Sequence, residues 1–285
     1  EGSVLEDSSV YPVSAETGAG IEDLIDAIDE MFATSENRPD NGRPRLPVDR
    51  AFTVSGFGTV VTGTLLDGSL EIGQEIEMSP SGHKGRIRGL QSHKKKENMV
   101  LPGTRVAANI SGIDQDQIRR GEVLTVPGWL RSSEAFDVKL DVLDDVPNTL
   151  SHNMFVTLHT GSSEVIARLR LLEDDKAEPG FSYWAQIKPN TSTPVVKGDY
   201  FVIRSNMTTL GGGVVVDTHA KRHRRKHIPT IKRLESLESD AASDIILSTL
   251  ESSEGSPLDA AGMAEKSGIN LSEVRSELFS MEEGG

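Results

Sequence analysis

From Val48 to Gly63 the chain alternates: Phe52, Val54, Val60 and Thr62 are separated by smaller or polar residues, and Gly56-Phe57-Gly58 interrupts them. A period of two marks half-buried strands, and glycines accept the positive φ of a tight connection. The stretch predicts a β-hairpin. Further short strands follow from Leu46 to about Pro127, punctuated by turn residues at Pro80-Ser81-Gly82, Leu101-Pro102-Gly103, Gly112 and Arg120-Gly121. Turns at this spacing predict a closed antiparallel barrel of about six strands. A second β-rich set runs from about Trp129 to Asp217: Val138–Val142, Phe155–Leu158, Val165–Leu172, Tyr183–Ile187, Tyr200–Arg204 and Gly213–Val216. It too reads as a barrel.

Helical periodicity is confined to the ends. Ile21, Leu24, Ile25, Ile28, Met31 and Phe32 predict an amphipathic helix over residues 21–32, with Glu22 and Asp23 in the first turn, where the macrodipole favours acids. Asp240–Glu251, Leu258–Lys266 and Ser272–Met281 predict three short helices, with Gly268 as a break between the last two. That order is the start of a winged-helix module. Residues 34–44 are a polar Pro/Gly/Asn linker.

Composition narrows the class. The chain has 285 residues, no cysteine and scarce aromatics, so disulfides and thiolate metal sites are excluded. No apolar run approaches the roughly 20 residues of a membrane helix. The net charge of −14 is unevenly spread: residues 1–37 carry ten acids and no Lys or Arg, and residues 234–285 carry twelve acids against Lys266 and Arg275. The middle is therefore mildly basic, which is compatible with RNA binding.

The sixteen residues from Val48 to Gly63 resemble the opening of domain two in translational GTPases of the elongation factor Tu superfamily. Asp49-Arg50 ahead of Ala-Phe-Thr-Val is similar to the selenocysteine-specific members. Ser14-Ala15-Glu16-Thr17-Gly18 resembles the last nucleotide motif of the G domain, in which loop N–H groups contact guanine; Ser14 and Ala15 match it position for position. There is no Gly-x-x-x-x-Gly-Lys-Ser/Thr phosphate loop and no Asn-Lys-x-Asp. The resemblance thus implies a C-terminal piece: the end of a GTP-binding domain (1–37), a linker (38–44), domain two (45–128), domain three with a tRNA contact (129–218), a basic linker (219–235) and a partial winged-helix domain (236–285). GTP with magnesium belongs to the full-length protein on this reading; the segment alone should bind none and be inactive as a GTPase.

In the family, domain two holds the aminoacylated end of the tRNA. The resemblance carries that role to Asp49, Arg50 and Arg105, with Phe52 and Thr62 as pocket wall. General elongation factor Tu has Glu-Asp in place of Asp49-Arg50 and Asn in place of Arg105, so two guanidiniums have entered the pocket. A selenol is substantially ionised at neutral pH and a serine hydroxyl is not, so Arg groups oriented by Asp49 would favour selenolate. Around serine or cysteine they would stay desolvated and unpaired. The alternative is a surface ion pair between Asp49 and Arg50.

Gln91, His93 and Lys94 fall where the family contacts the terminal adenosine. Arg222, Arg224, Arg225 and Lys226 form a basic run that reads either as a solvated linker or as a phosphate-backbone contact. His159 reads as a strand-end residue, and no metal-binding spacing is present. The implied function is delivery of selenocysteinyl-tRNA to the ribosome at a recoded UGA, with recruitment by a hairpin in the messenger RNA. The implied factor is a cytoplasmic monomer with no membrane partner. A ribosome-associated or stress-related GTPase with the same barrels but no such pocket is the alternative.

Overall fold

A computed structural model describes residues 8–34, 40, 42–205, 208–218, 220–238, 246, 259–267, 274, 275, 278 and 279. The helix at the start, α1 (Ile21–Thr34), follows a compact loop and buries no residue; Ile25, Ile28, Met31 and Phe32 face outward.

The first β unit contains β1 (Leu46–Pro47), β2 (Arg50–Val54), β3 (Gly58–Thr64), β4 (Leu70–Glu71), β5 (Glu75–Ser79), β6 (Lys84–Ser92), β7 (Lys95–Glu97), β8 (Met99–Val100), β9 (Arg105–Ser111) and β10 (Val123–Thr125). Its main sheet runs β1-β10-β5-β6-β9-β3-β2, with β7 as a branch on β6. The two ends, β1 and β2, are successive pieces of one chain segment. Between them Val48 N–H donates to Glu122 O at 2.8 Å and Asp49 N–H donates to Thr62 O at 2.9 Å. The bent segment thereby joins β10 to β3 and closes a barrel of six strands. Closure demands a glycine opposite: a Cβ at Gly63 would sit 2.2 Å from the Pro47 carbonyl oxygen. Val61, Val106, Ala108, Ile110, Leu90 and Leu124 alternate inward and fill the core.

The second unit contains β11 (Ser132–Ser133), β12 (Phe136–Val142), β13 (Leu150–Ser151), β14 (Phe155–Thr160), β15 (Ser163–Leu171), β16 (Lys176–Ala177), β17 (Ser182–Pro189), β18 (Thr193–Pro194), β19 (Tyr200–Ser205) and β20 (Thr208–Asp217). Six of these form a closed barrel in the order β12-β17-β15-β14-β19-β20, around Phe136, Leu140, Leu158, Leu169, Ile187 and Ile203. The six stretches expected to be strands coincide with these six strands, with Leu172 one residue beyond the end of β15.

The barrels meet at specific polar contacts. Arg45 hydrogen-bonds Asp67 at 2.5 Å and Asp199 at 2.8 and 2.7 Å, and the Ser162 hydroxyl donates to Val48 O at 2.8 Å. Beyond β20, residues expected to be linker include a helix, α2 (Ile228–Glu238). The basic run masked its pattern, yet Leu234 is fully buried against Leu172, Trp184 and Val216, and tertiary packing makes the helix. Of the three C-terminal helices expected, α3 (Ala260–Ser267) is described, and Met263 on it clusters with Ile246 and Val274; apart from Ile246, Val274, Arg275, Leu278 and Phe279, the other two expected helices lie outside the described residues. No described helix is long and apolar enough to cross a membrane.

Candidate functional site

Strand register determines which side chains share a face. Arg50 stands opposite Thr62, Thr62 opposite Ala107, Ala107 opposite Gln91, and Gln91 opposite Lys96. Directly paired residues in antiparallel strands project to the same side, so these five form one outward row across β2, β3, β9, β6 and β7. Arg105 and Thr64 are paired in the adjacent row on that face, and Phe52, Val60 and Asn109 make up the row on the other side. At about 4.8 Å per strand, Gln91 lies roughly 14 Å from Arg50 and roughly 10 Å from Thr62. The residues expected at the aminoacyl pocket and Gln91 of the adenosine site thus belong to one continuous surface. Phe52 is 42% exposed, as a wall residue at an open face would be.

Asp49 is the hub of this face. Its backbone is held by Thr62 O, the Thr62 hydroxyl donates to its Oδ1 at 2.6 Å, and the Arg105 guanidinium pairs with its Oδ2. Burial pushes the Asp49 carboxyl up, but the hydrogen bonds from Thr62 and Arg105, with the charges of Arg105 and Arg50, outweigh it and hold its pKa below the ordinary carboxylate value. Asp49 therefore pairs with Arg105, across the sheet, and not with its neighbour Arg50. Arg50 is exposed and makes no hydrogen bond or ion pair of its own among the described residues. The arrangement presents one neutralised cation and one uncommitted cation, with a net charge of +1.

His93 and Lys94 are the two central residues of the β6–β7 hairpin, both at positive φ (49° and 64°), the conformation of a two-residue primed turn. The His93 ring stays near the strand end through a 3.0 Å contact with the Ser92 hydroxyl. Sequence reasoning stopped at Lys94 and missed Lys96, which the register sets beside Gln91; the run Lys94-Lys95-Lys96 was the available signal. It also missed Asn109, whose side-chain amide donates to Phe57 O at 2.7 Å and ties the hairpin tip to this face.

The loop of Ser14 and Ala15 is compact and lies before α1. Ser14 N–H donates to Ala19 O at 3.0 Å, Gly18 N–H to Ser14 O at 2.9 Å, and Thr17 N–H to Ser14 Oγ at 3.2 Å. Ala15 is exposed.

The basic run divides. His223 Nε2 lies 2.5 Å from the fully buried Asp137, Arg225 pairs with Asp175, and Lys226 N–H donates to Leu172 O at 2.8 Å, so part of the run is docked on the second barrel. Arg222 and Arg224 are exposed. Burial, then the neighbouring charges of Arg222 and Arg168, push Arg170 down, so Arg222 lies near Arg170 of the barrel. His159 is paired with Glu164 and Val202 on β14, within the strand. Among the described residues no group of three or more His, Asp or Glu side chains is arranged to hold a metal ion.

Both β units match known protein families. Residues 58–125 match the family model described as elongation factor Tu domain 2, and residues 137–222 match that of the selenocysteine-specific elongation factor β-barrel domain. The chain is 37% identical over 276 residues to the selenocysteine-specific elongation factor of Desulfomicrobium baculatum, covering 96% of this chain and 42% of that protein. It is 27% identical to the Methanocaldococcus jannaschii protein of the same name, over 75% of this chain and 50% of that one. Among solved structures, translation elongation factor SelB from Methanococcus maripaludis in its apo form aligns with a TM-score of 0.67 at 26% identity, over 74% of this chain and 51% of that one. A bacterial selenocysteine-specific elongation factor aligns with a TM-score of 0.68 at 25% identity, over 83% and 38%. The chain spans about half or less of the length of each of these proteins. It belongs to the selenocysteine-specific elongation factor family, within the elongation factor Tu superfamily.

Proposed function

We propose that this chain carries the aminoacyl-tRNA-binding part of a factor that delivers selenocysteinyl-tRNA to the ribosome at a recoded UGA codon. The observation that carries the reading is the shared outward face of Arg50, Thr62, Arg105 and Gln91, with Asp49 clamped between Thr62 and Arg105. The aminoacyl group meets Arg50 and the Asp49–Arg105 pair, and the terminal adenosine lies along the row toward Gln91 and the His93-Lys94 turn. A selenolate gains a charge-assisted contact with Arg50, and an uncharged seryl group leaves that guanidinium unpaired.

Nucleotide chemistry is assigned to a GTP-binding domain that holds GTP and magnesium; of its motifs this chain has only the Ser14-Ala15 loop, which contacts guanine. The exposed apolar side of α1 suits packing within that domain. Recruitment by a messenger-RNA hairpin is assigned to winged-helix modules of the whole factor; the acidic segment 234–285 of this chain reads as a spacer, and Arg222 and Arg224 are assigned to contacts with tRNA or ribosomal RNA phosphates. The test is binding of selenocysteinyl-, seryl- and cysteinyl-tRNA to the full-length factor with GTP. Strong preference for the first is expected. Equal binding of all three would favour a ribosome-associated GTPase that uses the same barrels.

A further inference from the structure

Thr62 stands between the two arginines, paired across the sheet with Arg50 on one side and Ala107 on the other. It is half-buried, and its hydroxyl donates 2.6 Å to Asp49 Oδ1. The backbone bond from Asp49 N–H to Thr62 O tethers the same two residues a second time. A carboxylate has two oxygens, and here each has a separate partner: Thr62 takes Oδ1 and Arg105 takes Oδ2. Neither interaction reaches Arg50.

We propose that Thr62 is the positioning residue of the pocket: its hydroxyl anchors Asp49 so that the carboxylate engages Arg105 and leaves Arg50 for the aminoacyl group. The inference rests on the aminoacyl-pocket reading and deepens it. Without the hydroxyl, the Asp49 side chain can rotate about χ1 and χ2 toward Arg50, its neighbour in sequence. Both guanidiniums would then compete for one carboxylate, and the uncommitted cation would no longer have a defined place. The hydroxyl also keeps Asp49 ionised, since a hydrogen bond donated to the charged form favours that form. An ionised Asp49 keeps Arg105 neutralised, so the charge presented to the ligand stays near one and does not rise to two. Thr62 acts through Asp49 and touches no reacting atom.

The experiment uses Thr62→Val, which preserves shape and β propensity but removes the donor, and Thr62→Ser, which restores it. The first readout is the Asp49 carboxyl titration followed by carbon NMR on this chain, which needs no RNA. Thr62→Val should raise the Asp49 pKa toward the ordinary carboxylate value, and Thr62→Ser should return it to the native position. The second readout is the ratio of selenocysteinyl- to seryl-tRNA affinity in the full-length factor with GTP. Thr62→Val should lower that ratio about tenfold, the scale of one hydrogen bond to a charged group, and Thr62→Ser should recover most of it. An unchanged Asp49 titration in Thr62→Val, or failure of serine to rescue the ratio, overturns the proposal. If the native factor itself shows no preference, the pocket reading fails, and the Asp49 titration still decides whether Thr62 anchors the carboxylate.

Discussion

Arg45, at the entrance to the first barrel, donates from one guanidinium nitrogen to both carboxylate oxygens of Asp199, 154 positions away in the second barrel. Its Nε takes Asp67 at 2.5 Å, so one side chain, 10% exposed, joins two carboxylates from two units. Nothing in the sequence around Arg45 announces this, because its partner is remote and the pattern of neither barrel depends on it.

Removing that guanidinium leaves two partly buried carboxylates facing each other. Arg45→Ala is expected to cost about 3 kcal/mol, the scale of breaking a buried ion pair. Chemical denaturation monitored on the two barrels separately should show one transition in the native chain and a split in the variant.

The helix α2 is held by packing. Leu234 is fully buried beside Trp184, which is 2% exposed, and Arg233 reaches Asp217 at 2.6 Å. Leu234→Ala is expected to remove about 3 kcal/mol from docking, by lost transfer energy and a cavity. Acrylamide quenching of Trp184 fluorescence, in a Trp129→Phe background, should rise sharply. Quenching that stays at the native level would show that α2 docks without Leu234.

Asp49 titrates below the ordinary carboxylate value in the folded chain. Its contribution to stability is therefore present above that ordinary value and is lost as pH falls through the depressed one. The stability difference between native and Asp49→Asn should be near its full size, about 1 kcal/mol, at about pH 6 and should vanish toward about pH 2. Asp137 behaves with the opposite sign. Burial raises it, against the His223 bond, so its contribution is present below the ordinary carboxylate value and is lost as pH rises through the raised one.

Arg105 and Arg50 should fail differently. Arg105→Ala releases Asp49, which is then free to neutralise Arg50, so the pocket loses its uncommitted cation indirectly. The expected loss of preference for selenocysteinyl- over seryl-tRNA corresponds to roughly 1–3 kcal/mol. In the chain-only titration Arg105→Ala should also raise the Asp49 pKa, whereas an unmoved pKa would contradict the pairing.

Both barrels were legible because alternation and turn residues are local signals. Val61 and Ala108 face inward, and Thr62 and Ala107 outward, on the same period of two that predicted the strands. The membership of Asp49, Arg50 and Arg105 in one site came from resemblance, since residues more than fifty positions apart carry no spacing signal. The partnership within the site was only partly legible: Asp49 was expected to orient both arginines, with a surface pair to Arg50 as the alternative, and the β3–β9 register is what brings Arg105 to its carboxylate. Helix α2 was hidden for a different reason. Lys and Arg flank its few apolar residues, so its stability lies in contacts with Trp184 and Leu172.

In the proposed function, Arg50 reads the charge of the aminoacyl group. The most direct test is the affinity of the full-length factor with GTP for selenocysteinyl- and seryl-tRNA, measured for the native protein and for Arg50→Gln. Selenocysteinyl-tRNA binding is expected to fall by about ten- to a hundredfold while seryl-tRNA binding is unchanged. An equal fall for both tRNAs, or no fall for either, would contradict this role of Arg50.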